Sequence, residues 1–504
     1  MKKLNLLIIA VLSMSFSFAQ DITDALRYSQ DEIQGTARFR ALSGAFGALG
    51  GDLSAISLNP AGSVVFSRSL AAFSLSNVDT KNDAQYFNTF NTASRSKFDF
   101  NQGGAVFVFA NNDVNSPWKK FAVSINYDKM GNYDNLWVAR GVNTNNNSID
   151  LYFLGYADGL RLDEISALPG ESISTAYSEI GSLYGFGHQQ AFLGYESYIL
   201  EPDVDDDANT TYFSNLADGT FSQEYINASR GYNGKITFNA GVQYEDNLFL
   251  GLNLNSHLIN YNRSTVLFED NNNLGSYITN IEFENTLSTI GTGFSFQLGG
   301  IVKLNKEFRL GLTYDSPTWY TIEEETTQYL STISVDNERA IINPNIVNIY
   351  PRYRLQTPGK FGGSLAYVFG NKGLFSFDYS MRDYSSAKFK PTADAYFSTQ
   401  NNIINNQLTT ASTYRFGAEY KIEQFSLRGG YRFEESPYKN GVTVGDLTGY
   451  SFGIGVNLGN TKIDLTYDRA NRTSENQLYS VGLTDAALID TRNANVTFSI
   501  GFNL

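Results

Sequence analysis

The sequence predicts an all-β fold: a fourteen-stranded antiparallel barrel that crosses a membrane, with a small N-terminal plug inside its lumen. Three observations predict it. From about residue 68 onward apolar and polar side chains alternate with period two, which sends neighbours to opposite faces of a strand. One of those faces is consistently greasy while the other carries full charges. No segment after the first twenty residues holds the roughly 20 consecutive apolar residues of a membrane-crossing helix. A soluble sandwich also alternates. Here, however, the runs are about 10 residues or longer, aromatics crowd their ends and short turns alternate with long loops, as in outer-membrane barrels.

The first element is an export signal. "MKKLNLLIIAVLSMSFSFAQ" has Lys2 and Lys3, an apolar stretch from Leu6 to Leu12, then the small residues Ser17 and Ala19 at the positions a signal peptidase reads. Cleavage after Ala19 makes residues 1–19 the signal peptide, and loss of two lysines makes an already acidic chain, with a formal charge of −14, more acidic still. No cluster of Lys and Arg offers a phosphate-binding surface, which argues against nucleic acid as a partner. The chain has no cysteine, so neither disulfides nor a lipid-anchoring thiol contribute.

The strands fall near 68–77, 98–110, 118–142, 230–244, 247–262, 288–303, 307–324, 353–369, 373–384, 408–421, 424–434, 448–458, 461–470 and 493–503. The fourth and fifth show the pattern well. Ile236, Phe238, Ala240, Val242 and Tyr244 share one face against Thr237, Asn239, Gly241 and Gln243, and Leu248, Leu250, Leu252 and Leu254 resume the apolar face beyond a turn at Asp246. Short linkers at 111–117, 245–246, 304–306, 370–372, 422–423 and 459–460 are expected on the periplasmic side, with long loops outside. An even strand count suits a barrel that must close, because an unpaired edge in lipid costs several kcal/mol per orphan backbone group. The last strand alternates to its end, with Val496, Phe498, Ile500, Phe502 and Leu504 facing lipid, although Leu504 stands where insertion machinery reads an aromatic.

The third strand is interrupted by "DKMGNYDN", and Gly131 between Met130 and Asn132 predicts a kink or bulge there. Residues 143–229 form the largest insertion, extracellular, with a helix-like stretch around Leu162 to Ala167. The lumen face carries Arg309, Asp315, Asp378, Arg382, Arg415, Glu419, Lys421, Arg428, Arg432, Lys462, Asp464 and Asp468, mixed signs that suit ion-pair ladders filling the barrel.

Residues 20–67 precede the wall. Their stretch "GTARFRALSGAFGALGGDLSAISLNPAGSVVF" resembles the N-terminal hatch of the FadL/TodX family of outer-membrane transporters, whose most recognisable word stands here as Asn59, Pro60 and Ala61, followed by Gly62. "RLQTPGKFGGSLAYVFGNKGLFSFDYSMRDYSS" and "KEFRLGLTYDSPTWY" are also similar to that family. The resemblance implies a fourteen-strand barrel over 68–504 plugged by 20–67. It further implies passive uptake of hydrophobic molecules such as long-chain fatty acids or aromatic hydrocarbons in the outer membrane of a Gram-negative bacterium, released sideways at a kink in the third strand. In this chain Met130, Gly131 and Asn132 occupy that place. Small plug residues such as Ser43, Gly44, Gly47 and Gly50 let the segment coil tightly, and Pro60 with Gly62 turns it into the first wall strand.

Expected ligand contacts are Phe39, Leu42 and Phe46 in the plug, with packing against the wall as the alternative. Arg428 and Arg432 are expected to meet a substrate carboxylate, with structural ion pairing as the alternative. Asp203, Asp205 and Asp207 have a spacing that suits calcium, but Ala208 replaces the expected loop glycine and Ser214 the closing glutamate, so a solvated acidic loop is the alternative. Only His188 and His257 could serve acid–base chemistry, and neither has a companion motif; the chain is not expected to be an enzyme, and no other cofactor is expected. Expected partners are a hydrophobic small molecule, membrane lipids and lipopolysaccharide. An alternative role is a barrel subunit or shuttle of a protein secretion or assembly complex, contacting other outer-membrane proteins through its loops. A TonB-driven receptor is disfavoured, since residues 20–67 are too few for the large plug of such receptors.

Overall fold

The computed structural model of the chain describes residues 20–113 and 115–504; the expected signal peptide, residues 1–19, lies outside the described residues. Fourteen strands form the wall. They are β1 (Leu70–Tyr86), β2 (Thr89–Ala110), β3 (Trp118–Asn132, resuming over Asn135–Asn143), β4 (Phe221–Tyr244) and β5 (Leu248–Asp270). β6 (Ile278–Lys303), β7 (Phe308–Asp315 and Trp319–Ser334), β8 (Tyr353–Gln356 and Lys360–Phe369) and β9 (Gly373–Asp383) follow. β10 (Thr410–Ile422), β11 (Phe425–Glu434), β12 (Val444–Asn457), β13 (Thr461–Gln477) and β14 (Ala486–Asn503) complete the ring. Each pairs antiparallel with the next, and β14 returns to β1 from Leu70↔Asn503 to Gln85↔Leu488, so the sheet closes on itself.

Alternation decides which way the sheet faces. Leu250, Leu427 and Phe498 are 42%, 51% and 40% exposed on the outer surface, while Thr237, Asn239, Ser451 and Thr497 are buried on the inner one. An outward belt of Phe, Leu, Ile and Tyr of this extent does not suit water; it suits hydrocarbon. No helix among the described residues is long and apolar enough to cross a membrane.

The expected strands are all present, but they run farther than alternation indicates. Residues 78–97, expected as a loop, are the upper halves of β1 and β2 joined at Phe87 and Asn88. β5, β6, β13 and β14 also continue past their expected ends. The physical reason is that the outward face of these extensions turns largely polar, so the lipid-facing signal stops, while the inward face still buries Tyr86, Leu267, Phe283 and Ile489 and the ladder persists. The insertion shrinks accordingly, since Asn143 pairs with Phe221 and β4 begins there instead of near residue 230.

Residues 20–66 lie within the cylinder, coiled as α1 (Ile22–Arg27), α2 (Ala37–Ala41), α3 (Leu53–Leu58) and a 3-10 turn over Pro60–Val65. Each helix has a side-chain cap: Asp21, Thr36 and Asp52 accept from backbone amides of the first turn. Over the long-loop rim the insertion folds as α4 (Asp150–Ala157), α5 (Ile173–Tyr184) and α6 (Phe186–Glu196), with only a 3-10 turn at Leu162–Glu164 where a helix was expected. Its core of Phe153, Phe192 and Leu193 packs on Phe283 and Leu330 from the tops of β6 and β7. A further helix, α7 (Ala395–Gln407), lies between β9 and β10.

Candidate functional site

The site is a chamber between plug and wall. Its floor begins at Asn59, which caps the 3-10 turn by accepting from the Ala61 amide (3.1 Å) and donates from Nδ2 to the carbonyls of Gly47 (2.6 Å) and Gly300 (3.2 Å). One amide thereby joins both halves of the plug to β6. Pro60, at the first position of the turn, has no amide to satisfy there, and its carbonyl accepts from Asn239 Nδ2 at 3.0 Å. The wall beneath is glycine because nothing larger fits: a Cβ on Gly251 would lie 2.3 Å from the Pro60 carbonyl carbon, and one on Gly299 2.1 Å from Asn59 Oδ1.

Charges fix the rest of the plug. Arg38 grips Glu419 through Nε and Nη2 (2.8 and 3.2 Å), Arg40 grips Asp468 (2.8 and 3.0 Å), and Asp378 accepts the amides of Phe46 and Gly47. Arg428 is held between Glu419 (2.6 Å) and Asp464 (2.5 Å). Many of the expected ladder charges therefore pair with the plug as well as with each other.

The wall itself is breached beside the plug. β2 and β3 pair only from Ala110↔Lys120 to Gln102↔Asp128. Above that point β3 bulges at Met130, the extra residue between Lys129↔Gly234 and Gly131↔Asn233, and then resumes against β4 at Asn135. No ladder joins the upper β2 to β3. Side chains span the gap instead: Lys97 to Asp134 at 2.8 Å, Arg95 to the Ser229 carbonyl at 2.9 Å, and Asn91 to the Arg140 carbonyl at 3.3 Å. The plug touches the bulge directly, the Glu32 amide donating to the Met130 carbonyl (2.9 Å) and the Asn132 amide to the Glu32 carboxylate (3.1 Å).

Between bulge, plug and the far wall lies a cavity of about 360 Å³. It reaches from Gly131 and Asn135 at the breach, past Ile33 and Arg40 of the plug, to Arg415 and Arg432 of β10 and β11. Its lining is mostly polar or charged, with Val78, Val444 and Leu447 among the few apolar walls.

The expected site residues separate on this geometry. Gly131, Asn132 and Arg432 line the cavity, with Met130 behind them on the bulge. Phe39, Leu42 and Phe46 are buried in a cluster with Ile33, Leu49, Ala366 and Leu374. Arg428 is held between two carboxylates. Asp203, Asp205 and Asp207 sit on the exposed turn joining Leu200–Pro202 to Tyr212–Ser214, and among the described residues no three acidic or imidazole groups are placed to hold a metal. His257 is buried against Ser295 (2.8 Å) and His188 stacks on Tyr184. Sequence reasoning placed Arg415 on the lumen face only as a ladder charge and missed Arg472 and the glycines under Asn59; the glycines left a signal, since Gly241, Gly251 and Gly299 fall on the lumen phase of their strands.

Comparison with known proteins agrees with this architecture. The family model described as "Outer membrane protein transport protein (OMPP1/FadL/TodX)" matches residues 234–503. No curated protein matches. Among solved structures, a FadL homologue of Pseudomonas aeruginosa is similar at 12% identity and TM-score 0.57, covering 94% of this chain and 99% of that one. The toluene transporter TodX of Pseudomonas putida is similar at 13% identity and TM-score 0.52, covering 94% of this chain and 100% of that one. At such identities the likeness shows the fold.

Proposed function

Because the chain belongs to the OMPP1/FadL/TodX family of outer-membrane transport proteins, we propose that it takes up a hydrophobic small molecule passively through a side exit in its wall. The observation that carries this reading is the chamber opening toward the unpaired seam between β2 and β3, beside the Met130 bulge. The molecule enters under the insertion's helices, passes into the chamber and leaves through the seam into the outer leaflet of a Gram-negative outer membrane, where lipids and lipopolysaccharide surround the barrel. Long-chain fatty acids and aromatic hydrocarbons are the classes to try first. Family membership favours transport over the accessory-subunit alternative.

The plug seals the base throughout. It is fixed to lumen-facing groups from Asn101 of β2 round to Ser499 of β14, so a lateral route needs no wholesale plug displacement. Deleting Met130 removes the extra residue of the bulge and restores continuous pairing of β3 with β4. Uptake of labelled oleate and of toluene by cells carrying this variant is expected to fall about tenfold or more while the barrel stays heat-resistant on gels. Unchanged uptake would rule out the side exit.

A further inference from the structure

The chamber's far wall gathers three guanidinium groups, of which only two make an ion pair with a carboxylate. Arg415 of β10 and Arg432 of β11 are direct cross-strand partners, both facing the lumen. Like charges in that relation are destabilising. Arg432 extends over Gly449, where a Cβ would lie 2.9 Å from its Nε, toward Arg472 of β13. Arg432 and Arg472 share one carboxylate, Glu434, at 3.5 and 3.4 Å. Arg415 makes no ion pair or hydrogen bond with any described residue. The Nε atoms of Arg415 and Arg472 are buried without an acceptor. The other nearby carboxylates are held elsewhere: Asp468 by Arg40 and Asn495, Glu435 through one oxygen by the Ser412 amide, and Asp378, opposite Arg415, through Oδ2 by two plug amides, its Oδ1 unpartnered.

We propose that Arg415, Arg432 and Arg472 form a phosphate-binding site inside the barrel. A carboxylate has two oxygens and is satisfied by one bidentate guanidinium, whereas three forks arriving from three strands suit a tetrahedral oxoanion whose oxygens point in several directions. The phosphate is either free or the head group of an amphiphile whose apolar part continues toward the breach. This deepens the transport reading by naming a polar group its chamber holds, and rests on that reading only for the ligand's path. Loss of the phosphate site would leave hydrocarbon uptake a separate question.

The test is calorimetric titration of the full mature chain in a non-ionic detergent with inorganic phosphate, decyl phosphate and decanoate. Saturable binding of inorganic phosphate identifies a free-anion site; binding of decyl phosphate alone identifies a head-group site. Either is expected to weaken roughly tenfold or more in Arg432→Gln and in Arg415→Gln, with Arg432→Lys falling between. Absence of binding by both phosphates, affinity unchanged in the double glutamine variant, or decanoate binding as tightly as decyl phosphate would overturn the proposal. Thermal unfolding separates site from scaffold. Removing one of two opposed charges in Arg415→Gln is expected to raise the unfolding temperature without phosphate and to abolish the rise that phosphate causes in the parent. If Arg415 served instead to neutralise Asp378, whose Oδ1 also lacks a partner, the variant would be less stable and bind phosphate normally.

Discussion

Asn59 illustrates how one side chain couples plug and wall. Its amide reaches Gly47, Ala61 and Gly300 at once, the first two bonds fully buried. Asn59→Ala is expected to leave the barrel folded, to lower its stability by about 1–3 kcal/mol, and to raise leakage of small hydrophilic solutes in liposome swelling assays. Gly299→Val tests the same seat from the wall side. With Asn59 Oδ1 at 2.1 Å and Pro60 Cδ at 2.7 Å from the new Cβ, the Pro60 turn has to move, so leakage is expected to rise at least as far as in the alanine variant. The Asn-Pro-Ala word was visible in the sequence; its meaning was not, because the partners Gly47 and Gly300 are assigned only by the register of the closed sheet.

Elements were legible to the extent that one face met hydrocarbon. The lower half of every strand announced itself by alternation. The upper parts of the long strands did not: in "NVDTKNDAQY" the outward face is Asn, Asp, Lys, Asp and Gln, yet Val78 to Tyr86 pair continuously with β2. The breach was legible as Gly131 within "DKMGNYDN", whereas its width depends on β2 losing its ladder at Gln102, which no local pattern records. The insertion reads as helical only in parts, since α4 and α6 bury residues on most of their faces, polar Gln189 and Gln190 included, and so show no apolar stripe. Within it, Glu196 accepts from the Ala167 amide at 2.9 Å, and burial raises its pKa above the ordinary value. A carboxyl whose folded pKa exceeds its unfolded one, about 4.3, binds its proton more tightly in the folded lid. The lid therefore loses stability as pH rises through that window. Glu196→Gln is expected to slow hydrogen exchange in α6 at neutral pH and to flatten its dependence on pH, with no such change at pH 4.

At the scale of the whole molecule, the outward belt sets the depth of the barrel. Phe416, midway along β10 and 50% exposed, faces the middle of that belt. Phe416→Arg is expected to destabilise the barrel by roughly 2–4 kcal/mol in denaturant titrations in lipid, whereas a charge on polar Gln85, near the top of β1, should cost little. The 23 residues of β5 extend about 75 Å along the chain, and at the usual tilt stand roughly 55–60 Å tall against an apolar band of about 25 Å. On the side of β4 to β6 more than half the wall thus projects beyond the bilayer, whereas β9 to β11, of 10 to 13 residues, end close to its surface.

The height of the seam then has a physiological meaning. β3 leaves β2 at Asp128, about 25 Å above its lower end by the same reckoning, which is where hydrocarbon gives way to sugar. On the proposed route, cargo leaving at the foot of the seam would have passed beneath the carbohydrate coat that repels it and would dissolve sideways into fat without a bore being opened underneath. A cell using such a doorway feeds on oily compounds and still keeps water-soluble poisons out.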